Sequence, residues 1–112
     1  MEKAVAYCRV DGPVSENTQE LLNAQKFRLK AYAQKHNIEI TDFYEDAGFP
    51  GYTLERPGLQ RLMSDAENGE ISTVLAVNHN RLFRGQMPQR LKALQLNIHS
   101  ISDHEFDIHQ GL

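Results

Sequence analysis

The stretch Lys3-Ala4-Val5-Ala6-Tyr7-Cys8-Arg9-Val10 decides the fold, because it is a short apolar run closed at once by Asp11, Gly12 and Pro13. A run of that length with breakers behind it reads as a buried strand entering a loop. Outward from it, Asn17 with Glu20 three residues later marks a helix start. Leu22, Leu29, Tyr32 and Ala33 then fall on one helical face, and that helix is expected to end near His36-Asn37. Residues 38–44 alternate as a strand does, and a loop with Gly48, Pro50 and Gly51 follows. Pro57 suits the first position of a second helix, with Leu59, Leu62 and Met63 facing inward and Asn68-Gly69 stopping it. Residues 71–77 form a third apolar strand. Pro88 opens or interrupts a third helix through Leu91 and Leu94, and Ile98-His99-Ser100-Ile101 reads as a short final strand. Strands separated by helices predict an α/β fold with a mainly parallel sheet of four to five strands flanked by helices.

At 112 residues the chain fits one domain with a single core. Its hydrophobic fraction of 40% and charged fraction of 24% are ordinary for a globular protein. A net charge of −3 gives no overall basic character, so any affinity for nucleic acid rests on a local cluster of arginines. Cys8 is the one cysteine, which excludes an internal disulfide and fits a buried structural thiol. There is no long apolar run and no signal-peptide architecture, so a cytoplasmic protein without membrane association is expected. His99, His104 and His109 recur every five residues, a spacing that suits surface histidines better than a metal site. Glu39, Asp42, Glu45 and Asp46 read as a solvated strand face, with Asp46 set aside for a pocket. No cofactor motif is present: the Gly48–Gly51 loop lacks the Gly-Lys-Ser/Thr of a phosphate-binding loop.

In parallel sheets functional groups gather beyond the carboxyl ends of the strands. The first strand ends at Arg9 and Asp11, the second at Glu45 and Asp46, the third at Asn80, Arg81 and Arg84. Arginines converging there suit bidentate recognition of phosphate, although strand ends are also polar simply because they meet water.

Tyr7-x-Arg9-Val10 is the first of several motifs in a telling order. Gln25 follows in the helix, then Asp46-x-Gly48, then Gly51-x-x-Leu54-Glu55-Arg56-Pro57-Gly58-Leu59, then Val77-x-x-Asn80-Arg81-Leu82-x-Arg84, then Ile98-His99-Ser100-Ile101. In this order and spacing the chain resembles the serine recombinases, the resolvase/invertase family, along most of its length. The resemblance implies a resolvase-like fold and phosphoryl transfer on DNA by a serine nucleophile. It implies cationic positions at Arg9, Arg56, Arg81 and Arg84, and supporting positions at Tyr7 and Asp46. It also implies continuation into a dimerisation helix and a DNA-binding domain. Residues 103–112 hold neither, so the chain reads as one resolvase-like domain, 1–112, truncated before both.

Three positions depart from the family pattern: Asp11 stands at the nucleophile, Asn80 at the acid, and Pro50 where many members have a serine. Serine offers a neutral hydroxyl that can lose its proton, whereas an ionised aspartate repels phosphate. It would also attract cations, with Arg9 and Arg81 the expected partners. Asparagine cannot exchange a proton as a carboxyl group does, and proline has neither hydroxyl nor amide donor. One reading is a degenerate recombinase domain without strand exchange that binds DNA weakly, or pairs with a homologous recombinase or a second copy of itself. A second is an active phosphoryl-transfer enzyme using Asp11 or Ser15. A third is a non-catalytic interaction module that shares only the fold.

Overall fold

The computed structural model describes residues 1–102. Strand β1 (Glu2–Val10) leads through a loop to helix α1 (Glu16–Lys35), then β2 (Ile38–Ala47), α2 (Pro57–Glu67) and β3 (Thr73–Ala76). Two single-turn helices, α3 (His79–Leu82) and α4 (Gln89–Lys92), precede β4 (Asn97–Ser100). The four strands pair in the order β2-β1-β3-β4, all parallel. Residues 4–8 are apolar because β1 lies inside this sheet and is covered on both faces there. Ala4, Ala6, Cys8 and Val10 pack with Leu22, Leu29 and Ala33 of α1. Val5 and Tyr7 pack on the opposite face with Leu59, Leu62 and Met63 of α2.

Several boundaries move from those read in the sequence. Helix α1 begins two residues early, with Ser15 rather than Asn17 at its N-cap, and the Ser15 amide donates to Thr18 Oγ1 at 2.9 Å. Strand β2 runs past residue 44 to Ala47 because, after a register shift between Ala4 and Ala6, it stays paired with β1 to its end, Arg9 with Asp46 and Val10 with Ala47. Asp46 is therefore a buried strand residue, while Glu39, Asp42 and Glu45 face water. Strand β3 is shorter than the apolar run that contains it. The helix after Pro88 lasts one turn, and Leu94 lies beyond it. His99 is half-buried rather than on the surface, since β4 registers it opposite Leu75 of β3. His104, His109 and the reading of residues 103–112 lie outside the described residues. No described helix is long and apolar enough to cross a membrane.

Cys8 is fully shielded, and burial pushes its thiol up to about 12, with Glu45 adding to the rise. The unfolded chain ionises this thiol near 9, so above that pH it binds fewer protons than the folded chain. Stability then falls with rising pH by up to about 1.4 kcal/mol per unit from this group. Urea midpoints at pH 8 and pH 10 are expected to show a drop that is smaller in Cys8→Ala; equal drops in the two proteins would contradict this.

Candidate functional site

Asp46 organises the amino end of α2. Its Oδ1 accepts from the Gly58 amide at 2.7 Å and its Oδ2 from the Leu59 amide at 2.9 Å, two of the amides that a helix leaves unpaired at its start. Pro57 sits at the first turn, where its missing N–H costs nothing. Gly58 is required by proximity: a Cβ there would stand 2.4 Å from the Glu45 carbonyl oxygen and 2.9 Å from Asp46 Oδ2. The Tyr7 hydroxyl donates to Asp46 Oδ2 at 2.6 Å and accepts from Arg56 Nη1 at 2.9 Å, so it bridges acid and base. Burial, then the bond to Asp46, raises the Tyr7 hydroxyl well above the ordinary tyrosine range. It stays a neutral donor.

Arg56 is completely buried, and it is tied into the network by its side-chain donors. Nε donates to the Thr53 carbonyl at 2.8 Å, Nη1 also reaches the Arg81 carbonyl at 3.2 Å, and Nη2 donates to the Leu82 carbonyl at 2.5 Å. Arg9 is buried as deeply. Its Nε donates to the Arg81 carbonyl at 3.0 Å, Nη2 to Asn80 at 2.6 Å and Nη1 to Phe49 at 3.0 Å, with Nη1 also bonded to Asp11 Oδ1. The two guanidiniums thus hold the chain that follows β3 against the end of β1. Gly51 leaves room for this, since a Cβ there would lie 2.6 Å from Arg9 Nη2. Gln25 on α1 clips the Arg9 backbone, accepting from its amide at 3.2 Å and donating to its carbonyl at 2.9 Å. Burial, then repulsion from Arg56 and Arg81, pulls the Arg9 guanidinium down to about 10, which leaves it charged at neutral pH.

The rim of the cluster holds Asp11 and Arg84. Asp11 is bonded to Arg9 on one side, and its Oδ2 lies 3.6 Å from Arg84 Nη2 on the other. The partner of Asp11 beyond Arg9 is therefore Arg84, not Arg81. Arg81 turns its Nη1 to the Arg9 carbonyl at 3.2 Å, while Arg84 is exposed and faces the carboxylate. The Arg84 amide donates to the Gly51 carbonyl at 2.9 Å, joining the loop after β2 to the turn after α3.

Of the residues singled out in the sequence, Tyr7, Arg9, Asp46, Arg56 and Arg81 form one hydrogen-bonded network, with Asp11 and Arg84 at its mouth. Asn80 joins through its backbone carbonyl, and its side chain is on the exposed surface. Pro50 is half-buried beside Phe49, whose carbonyl is the group that Arg9 uses. Ser15 is exposed at the start of α1. Sequence reading missed the collar of carbonyls from Phe49, Thr53, Asn80, Arg81 and Leu82, since every residue carries a carbonyl and none advertises it. It also missed Asn78, whose side chain accepts from the Arg81 amide at 3.2 Å and caps α3. An asparagine just after the third apolar run was the available signal.

The chain matches the family model described as "Resolvase, N terminal domain" over residues 4–111. It is similar to the N-terminal catalytic domain of TP901-1 integrase, at 31% identity and a TM-score of 0.72, covering 91% of this chain and 78% of that one. A resolvase family site-specific recombinase from Streptococcus pneumoniae gives 30% identity and a TM-score of 0.73, covering 92% of this chain and 74% of that one. A protein of Bacillus subtilis (strain 168) named "Putative DNA recombinase" is 50% identical over 62 residues, which are 55% of this chain. The matched stretch spans only 12% of that relative's length. With the family model covering nearly the whole chain and the parallel sheet aligning on solved recombinase domains, this chain belongs to the resolvase N-terminal domain family of serine recombinases.

Proposed function

We propose that this is a serine-recombinase domain whose phosphate site is closed by its own Asp11, so that it does not carry out strand exchange. The observation that carries the reading is the Asp11 carboxylate seated between Arg9 and Arg84 at the carboxyl end of β1. A carboxylate bonded to a guanidinium does for it electrostatically what a phosphate oxygen would. The remaining donors of Arg9 and Arg56 go to backbone carbonyls and the Tyr7 hydroxyl, which leaves Arg84 as the exposed guanidinium of the cluster. An Asp11 held in this way is a poor nucleophile, and Asn80 offers no exchangeable proton. In this reading the domain works in the cytoplasm as a non-cleaving protomer, contacting DNA weakly and pairing with a homologous recombinase or a second copy of itself.

The test is incubation with supercoiled DNA followed by denaturing gels. Neither nicked product nor covalent protein–DNA adduct is expected from the natural sequence. An adduct lost in Ser15→Ala, or a hydroxylamine-labile adduct lost in Asp11→Ala, would overturn the reading.

A further inference from the structure

Next to the arginine cluster lies an open groove of about 770 Å³ that the closed-site reading does not use. Phe49, Tyr52 and Phe83 line it between Pro57 and Pro88, with Arg90 and Glu55 also on its walls. Tyr52 is 69% exposed, so its ring is accessible from the groove. The groove is continuous with the cluster. Its Phe49 carbonyl accepts from Arg9, and Gly51, one residue before Tyr52, accepts from the Arg84 amide.

We propose that this groove binds unpaired bases of single-stranded DNA, with Tyr52 as the stacking platform and Arg90 contacting the adjoining phosphate. The choice of DNA rests on the recombinase reading above, while the choice of unpaired bases rests on the groove. Aromatic rings take bases by stacking whatever their sequence, and an adjacent cationic rim follows the backbone. Bases inside a duplex are stacked on each other and cannot reach such a ring. The volume lies in the range that encloses a small organic ligand, which suits one or two nucleotides. Arg56 and Arg90 on the groove lining outnumber Glu55, a positive balance that favours a polyanion over a neutral peptide. Glu55 is the opposing charge, so its removal is expected to tighten binding.

Fluorescence anisotropy of a labelled eight-nucleotide oligothymidylate at low salt tests this. The single strand is expected to bind more tightly than a duplex of equal length. Tyr52→Ala is expected to weaken it about tenfold, while Tyr52→Phe retains it. Arg90→Ala is expected to reduce the salt slope by about 0.7, and Glu55→Gln to raise affinity. Unchanged affinity in Tyr52→Ala, a duplex bound as well as the single strand, or a preference for oligouridylate or a peptide would overturn the proposal. Failure here, with the covalent-adduct assay still blank, would remove the groove and leave the closed site standing. An adduct alongside Tyr52-dependent binding would do the reverse.

Discussion

Arg56→Ala is expected to cost the fold about 3–5 kcal/mol, the usual penalty for deleting one member of a buried charged network. Arg56 is fully buried, and its loss leaves the Thr53 and Leu82 carbonyls without their side-chain donor and removes the cation from the Tyr7–Asp46 pair. Each buried polar group left unpaired costs about 1–3 kcal/mol. A domain of this size has about 5–15 kcal/mol in total, so the urea midpoint should fall by about a fifth or more. Arg56→Lys is expected to recover little, because an ammonium cannot present the planar fork that these acceptors require. Arg84→Ala, at an exposed position, is expected to stay within about 0.5 kcal/mol of the natural sequence. If Arg56→Ala melts with Arg84→Ala, the description of Arg56 as a structural tie is wrong.

This contrast bears on how much the sequence discloses. The parallel sheet, the two long helices and the convergence of strand ends were legible, because apolar period and breaker residues carry them locally. Pro57 marked the start of α2 for the same reason. The resemblance brought the arginines into one site. It did not sort Arg9 and Arg56, which are buried and spent largely on backbone carbonyls, from Arg84, which is exposed at the rim. That division depends on where residues 80–82 pass relative to β1, a long-range contact with no local sequence signal. The extra length of β2 escaped notice because its charged outer face resembles a loop, and only pairing with β1 makes it a strand. Assigning Arg81 to Asp11 failed because proximity in a motif says nothing about rotamers. The Arg9 carbonyl competed for Arg81 and won.

Asp11→Ser is expected to convert the closed site into an anion site. The Asp11 carboxylate is 38% exposed and Arg84 58% exposed, so their ion pair is screened and contributes little to stability. Its effect on an incoming phosphate is larger, because the ligand meets a like charge at the very guanidiniums it needs. Replacing that repulsion with a hydroxyl frees Arg84 and one Arg9 donor for charge-assisted hydrogen bonds, each worth about 1.5–3 kcal/mol. Each such bond that a phosphate forms should therefore raise its affinity about 10- to 100-fold. Arg84→Ala in the Asp11→Ser background is expected to remove the share of the gain that Arg84 supplies, which separates a specific site from general salt effects.

The central claim, that Asp11 occupies the place of a phosphate, is tested most directly by titrating phosphate at constant ionic strength while following backbone amide resonances. Asp11→Ser should show saturable shifts centred on Arg9, Gly51 and Arg84, while the natural sequence shows none over the same concentrations. Matching titration curves for the two proteins would contradict the account.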